Sequence, residues 1–335
     1  MATRTVPFRA LSIAVLVLAL AACGGDDGGG NGSEAPTSLP VATSAPTSTA
    51  SSEAATDTGA TDTAIDTGGP EVTLIDPGAE PRTELRYQIA NRHPVDATVR
   101  QEQEFTQTID GQSSEVALTT LFDIVGGVQT EGDTFTMRAS LENYRLGDDT
   151  DPAIRDAVES SLSAFNGVTI VETFDSSGHS LERTIENPNE FGGDPATMSM
   201  LESMLQQNAF SSPLPTEPVG QGARWSITQE VDVQGIPITQ VTETELVSVD
   251  DSAVELAFTS TQEVPQGPLT LDGVPGEVEI ETWDVTGEGT SVVDLTSPVP
   301  TTEGRTEAHQ VMTSTADDSS LEQDIVTRIE LTPNN

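Results

Sequence analysis

Few side chains in this 335-residue chain could carry covalent or metal chemistry. There is one cysteine, Cys23, and there are three histidines, His93, His179 and His309. The histidines lie far apart in sequence, none with a second histidine at the spacing that zinc or iron sites use. His93 precedes Pro94, and His179 falls in an expected hairpin turn, so both are expected at the surface. A hydrolase would need one of them beside a serine and a carboxylate recruited from distant positions. No Gly-x-Ser-x-Gly elbow, phosphate loop or dinucleotide fingerprint occurs. Asp57-Thr58-Gly59 and Asp66-Thr67-Gly68 imitate the aspartic-protease signature, in which two carboxylates share a proton. Both copies sit in low-complexity coil with no apolar strands around them. Asp148, Asp149 and Asp151 gather carboxylates, but the EF-hand spacing fails and helix capping accounts for Asp151. No catalytic residue, metal or cofactor is expected from these patterns.

Cys23 has a more specific context. Arg4 and Arg9 are the only charges before it, and residues 10–20 form an apolar run that ends in Leu20-Ala21-Ala22. A basic start, a short apolar stretch and small residues before the cut describe a secretory signal, too short to span a bilayer comfortably. With cysteine directly after the small pair, Leu20-Ala21-Ala22-Cys23 resembles the lipobox of bacterial lipoproteins. The resemblance implies that residues 1–22 are removed and that Cys23 is acylated and becomes the mature N-terminus. The lipid bilayer is then a partner, and the chain is held outside the cytoplasm. One acyl chain anchors only marginally, at about 0.8 kcal/mol per buried methylene, whereas two or three hold stably.

Residues 23–70 are Gly, Ser, Thr, Ala, Pro and Asp with almost no large apolar side chains, so they read as an unfolded tether. Its r.m.s. reach is roughly 35–40 Å, and its Ser/Thr/Pro content could accept glycans. The whole chain has 13 basic residues against 55 acidic ones, a formal net charge of -42, and every basic residue is arginine. Such acidity keeps a protein soluble and argues against nucleic acid or anionic head groups as partners. With the single cysteine taken by the anchor, no disulfide can form. Stability then rests on the core of residues 71–335, a length that buries about three quarters of its unfolded surface.

Period-two alternation marks half-buried strands through this region. Leu85, Tyr87 and Ile89 alternate; Val99, Phe105 and Ile109 share a face up to the hairpin turn Asp110-Gly111; Val116, Leu118, Phe122 and Ile124 follow, closed by Gly126-Gly127. Phe135, Met137, Ala139 and Leu141 come after Glu131-Gly132-Asp133, and residues 168–174 and 181–185 bracket Ser176-Ser177-Gly178. Later strands are expected near 238–249, 253–263, 278–286, 290–296, 304–315 and 321–332, with turns at Gly235, Asp250-Asp251, Gly287 to Gly289 and Asp317-Asp318. Short turns imply antiparallel neighbours. Two helices are expected to interrupt the meander, at Asp151-Pro152-Ala153 and Asp194-Pro195-Ala196. Ile154, Val158, Leu162 and Phe165 stripe the first. Met198, Leu201 and Leu205 stripe the second, with Met200 and Met204 beside them.

The element Pro218-Val219-Gly220-Gln221-Gly222-Ala223-Arg224-Trp225, leading into a strand with Ile227, Val231 and Val233, resembles a family of uncharacterised, mostly actinobacterial, secreted β-rich lipoproteins. The resemblance covers about the last two thirds of the chain and implies no catalytic residues. Trp225 itself reads as a core anchor. The expected fold is mainly β (α+β): roughly twelve antiparallel strands as a curved sheet or open barrel, with two amphipathic helices in the middle of the chain. Residues 71–335 are one domain, or two similar halves at about 84–186 and 223–332. Architecturally this resembles envelope lipid carriers, whose half-barrels hold acyl chains. The functional expectation is a tethered binding or carrier module for an apolar ligand, with Met198, Leu201, Met204, Leu205 and Trp225 as candidate contacts. The alternative is a structural or interaction protein of the envelope, with a hydrolase third.

Overall fold

The computed structural model describes residues 63–65, 69–109, 111–148, 150, 165–186, 211–233, 236–250, 252–271, 276–316 and 319–334, with isolated positions 152, 155, 159 and 162. Thirteen strands form one antiparallel sheet: β1 (Thr63–Ile65), β2 (Glu71–Asp76), β3 (Pro94–Ile109), β4 (Gln112–Glu131), β5 (Thr134–Leu146), β6 (Thr169–Asp175), β7 (Ser180–Glu186), β8 (Arg224–Val233), β9 (Ile236–Asp250), β10 (Ala253–Glu263), β11 (Val278–Asp294), β12 (Thr301–Ser314) and β13 (Ser320–Pro333). Their order in space is β1-β7-β6-β5-β4-β3-β13-β12-β11-β10-β9-β8-β2. The chain therefore starts its long strands at the centre with β3 and meanders outward to β7. It then crosses to β8 and meanders back until β13 pairs with β3 from Leu321↔Ile109 to Pro333↔Ala97.

The sheet is open, and its connectivity requires it to be rolled. β1 and β2 occupy opposite edges, which in a flat sheet of this width would stand about 58 Å apart at roughly 4.8 Å per strand. Only five residues separate Ile65 from Glu71, and a chain of that length spans about 20 Å at most. The approach is closer still at Gly69, where an added Cβ would lie 3.2 Å from the Ser180 carbonyl of β7. Two residues later, Glu71 pairs with Thr228 of β8. No ladder joins the edges. The segment after β2 bridges them instead: Thr83 exchanges backbone hydrogen bonds with Val219, ahead of β8, and Tyr87 N–H donates to Ser176 O, in the β6–β7 turn.

The rolled sheet buries its inner face in two clusters. The larger draws on both meanders, including Met137, Ile170, Phe174 and Ile185 on one side and Trp225, Leu246, Leu256 and Val293 on the other. The smaller holds Val231, Ile236, Ile238, Leu271, Val278, Met312 and Leu321 at the far end of the second meander. Between them the same face carries glycines and hydroxyl side chains in register with Phe258 and Ile329. Thr244, Phe258, Gly289, Gly304 and Ile329 are successive partners across β9 to β13, and Thr242, Ser260, Gly287, Thr306 and Thr327 form the next row.

Four local expectations are corrected. Gly126-Gly127 does not close a strand, because β4 runs through it to Glu131. A Cβ on Gly126 would meet the Arg138 carbonyl at 2.0 Å, so glycine is there to admit the β5 backbone. Gly287 and Gly289 likewise lie inside β11; a Cβ on Gly289 would fall 2.3 Å from Glu303 O and 2.5 Å from the Phe258 ring. Leu85, Tyr87 and Ile89 alternate and are buried, but they belong to the crossing segment, outside any strand ladder. No helix is delimited among the described residues: the first expected one is described at only a few positions, with Leu162 and Phe165 buried, and the second lies outside them. β1 falls in the stretch read as tether, and β2, whose alternation is short, was not anticipated.

Candidate functional site

Of the candidate residues named from sequence, Cys23, Met198, Leu201, Met204 and Leu205 lie outside the described residues. Trp225 is fully buried in the larger cluster, and its indole N–H donates to Pro213 O at 3.3 Å. It is a core anchor that ties the segment before β8 to the sheet. The described helical positions include no helix long and apolar enough to cross a membrane.

The histidines do not converge. His93 and His179 are half-buried rather than exposed. His179 is held in the β6–β7 turn by Asp175, whose Oδ1 accepts from its backbone N–H at 3.1 Å, while its Nε2 lies 3.2 Å from Leu214 O. His309 Nδ1 lies 2.8 Å from Asp324 Oδ1 across the β12–β13 ladder. The hydrogen bonds described for these rings run to carboxylates and carbonyls, so no serine–histidine pair of the hydrolase kind is assembled among the described residues.

An open groove of about 750 Å³ runs across five strands, β10 to β13 and β3. Strand alternation explains its lining. Thr259, Glu288, Arg305, Arg328 and Glu102 are successive partners in one row, and Ala257, Thr290, Glu303, Glu330 and Arg100 in another. Both rows point away from the inner face. Gly289 and Gly304 lie between them and lower the floor. Arg100 pairs with Glu102 at 2.7 Å, Arg328 with Glu104 at 2.9 Å, and Arg305 with Glu307 at 2.5 Å. The hydrogen bond from Arg328 to Glu104 raises the guanidinium pKa further, so its charge is permanent. Pairs this exposed to solvent contribute little to stability. The groove thus presents solvent-facing charges of both signs around a floor to which Ala257, Phe258 and Ile329 add apolar surface.

The inner face of β5 to β7 is different. Glu172 and Arg183 oppose each other in the ladder and bond at 2.6 Å, their side chains 0% and 5% exposed. Around them Met137, Ile170, Phe174 and Ile185 are buried. Tyr87 covers this face from the crossing segment, its ring 5.7 Å from Phe135, and its hydroxyl both donates to Ser212 O and accepts from Ser212 N–H at 3.2 Å. Burial pushes the Tyr87 phenol well above its usual range, against the hydrogen bond to Ser212.

Sequence reading missed the groove and the His309–Asp324 contact. Hairpin arithmetic came within two residues of it: a two-residue turn expected at Asp317-Asp318 would pair positions whose numbers sum to 635, whereas facing positions in the ladder sum to 633, which sets 309 opposite 324 and 305 opposite 328. Comparison with family models, curated proteins and solved structures finds no match to this chain.

Proposed function

We propose that this chain is a lipid-anchored, extracytoplasmic module that binds or carries an apolar ligand on the inner face of its rolled sheet. Cys23 supplies the anchor and the stretch between it and β1 the tether. The observation that carries the ligand reading is where the Met-bearing stretch must begin and end. It leaves from Glu186, the last residue of β7, and rejoins at Ser211, whose hydroxyl donates to Gly178 O beside the first residue of the same strand. These two flanking points are separated by roughly 23 Å of strand. Around the Glu172–Arg183 pair the inner side of the sheet there is apolar, with Phe135, Met137, Ile170, Phe174 and Ile185. An amphipathic helix carrying Met198, Leu201, Met204 and Leu205 has the length to make that return, and methionine suits a surface that adapts to varied apolar partners.

The test is native mass spectrometry and lipid extraction of the purified protein, alongside a Leu201→Asp/Leu205→Asp variant. Co-purifying lipid that is lost in the variant, with the β-sheet circular dichroism kept, supports the reading. Absence of bound lipid, together with no uptake of a fluorescent fatty acid, rejects it. Anchoring has its own readout: Cys23→Ala should abolish metabolic labelling with a palmitate analogue and release the protein from the membrane fraction.

A second reading rests on the charged groove. Exposed arginines and glutamates spread over five strands suit a protein partner in the envelope. In that case Arg305→Glu/Arg328→Glu would abolish a specific crosslink in whole cells without disturbing lipid content.

A further inference from the structure

We propose that His309, Glu322 and Asp324 form a binding site for a zinc-type divalent cation on the outer face of the sheet. One donor atom from each lies within 4.8 Å of the others. Ligand atoms around a zinc ion sit about 2.0–2.2 Å from it and therefore about 3–4 Å apart, so closure needs side-chain shifts of no more than about an ångström. Paired backbone holds the positions. Glu322 and Asp324 are i and i+2 on β13 and share a face, and His309 of β12 stands directly opposite Asp324. The donor set is one imidazole nitrogen with two carboxylates, which favours a borderline cation such as Zn²⁺ over Mg²⁺ or Ca²⁺, whose preference is for oxygen alone.

The local charge balance points the same way independently of these distances. On the outer face, Arg100, Arg305 and Arg328 each have a glutamate partner. Around His309 the ladder sets Asp284 of β11 on one side and Asp324 on the other, with Glu322 diagonal, and no arginine occupies any of those positions. Glu322 and Asp324 stand two residues apart on one face of β13, Asp284 lies beyond His309, and a divalent cation would relieve this local excess of negative charge. The side chains of His309 and Asp324 are 41% and 61% exposed, so an ion can enter from solvent and keep water in its remaining positions. The ligand reading for the inner face does not depend on this site.

The experiment is isothermal titration of the purified, tag-free protein with Zn²⁺, against His309→Gln and Asp324→Asn. The proposal expects one site per chain, weakened about tenfold or more in each variant, insensitive to millimolar Ca²⁺, with nitrogen and oxygen donors in X-ray absorption. Both substitutions lie on the exposed face, and unchanged urea midpoints without metal would show that the fold survives. Equal Zn²⁺ affinity in wild type and His309→Gln would overturn the proposal, as would full displacement by Ca²⁺, because either result describes diffuse adsorption to an acidic surface.

Discussion

Replacing Arg183 with methionine isolates the energetics of the face on which the proposed ligand rests. Glu172 has no exposed side-chain surface, its Oε1 accepts from Arg183, and its Oε2 has no hydrogen-bond partner. Arg183→Met keeps the aliphatic stem but leaves a carboxylate buried beside Met137, its register partner on β5. Removing one partner of a buried pair costs about 3–5 kcal/mol, most of it the penalty of the stranded charge. Replacing both, as Glu172→Leu/Arg183→Met, removes that charge and should recover the loss to within about 1 kcal/mol of the parent protein. Equilibrium urea unfolding at pH 7 measures all three proteins, and unchanged m-values would show that the comparison is one of stability. For a domain of this size each kcal/mol moves the midpoint temperature by about 2–4 °C, so the single variant should melt roughly 6–20 °C lower. A single variant within about 1 kcal/mol of the parent would refute the burial, and a double variant no better than the single would refute the charge argument.

Three further outcomes follow from the geometry. Gly126→Ala should cost at least about 2 kcal/mol in urea unfolding because its Cβ meets backbone at 2.0 Å, whereas Gly127→Ala, with its nearest atom at 3.5 Å, should change stability little. Gln310 and Gln323, register partners at 2% and 1% exposure, carry side-chain polar atoms without hydrogen-bond partners. Gln310→Leu/Gln323→Leu should therefore be neutral or stabilising in the same assay, and a loss above about 2 kcal/mol would contradict the unpaired state. Tyr87 and Tyr144 have phenols held protonated by burial. The unfolded chain ionises near pH 10 while the folded one does not, so stability should fall as pH rises above about 10. Tyr87→Phe should shallow that fall when urea midpoints are followed from pH 8 to 11.

Strand identity was legible wherever alternation was long. Phe135, Met137, Ala139 and Leu141 take the inner face of β5 as their spacing demands, and the turns at Gly111 and Gly132 fall where expected because positive backbone angles there call for glycine. Glycine misled where its role was close approach instead of turning: Gly126, Gly287 and Gly289 look like breaks, yet they sit mid-strand where another backbone, the Ser260 hydroxyl or the Phe258 ring takes the space of a side chain. Tyr87 misled in the opposite sense. Its alternation is that of a strand, but its partners are the Ser176 carbonyl and Ser212, so it straps two ends of the sheet without joining a ladder.

By itself the sequence determined the features that depend on local spacing: the antiparallel β character and the placement of Trp225 as a core residue. Periodicity and turn chemistry act within a few residues, so they are written in the chain. Tertiary structure alone decided that the sheet rolls until β1 and β2 approach, that Glu172 and Arg183 are sealed together, and that His309 stands over Asp324. These depend on which strands become neighbours. That choice is made by burial summed over the whole sheet, and no local window contains it.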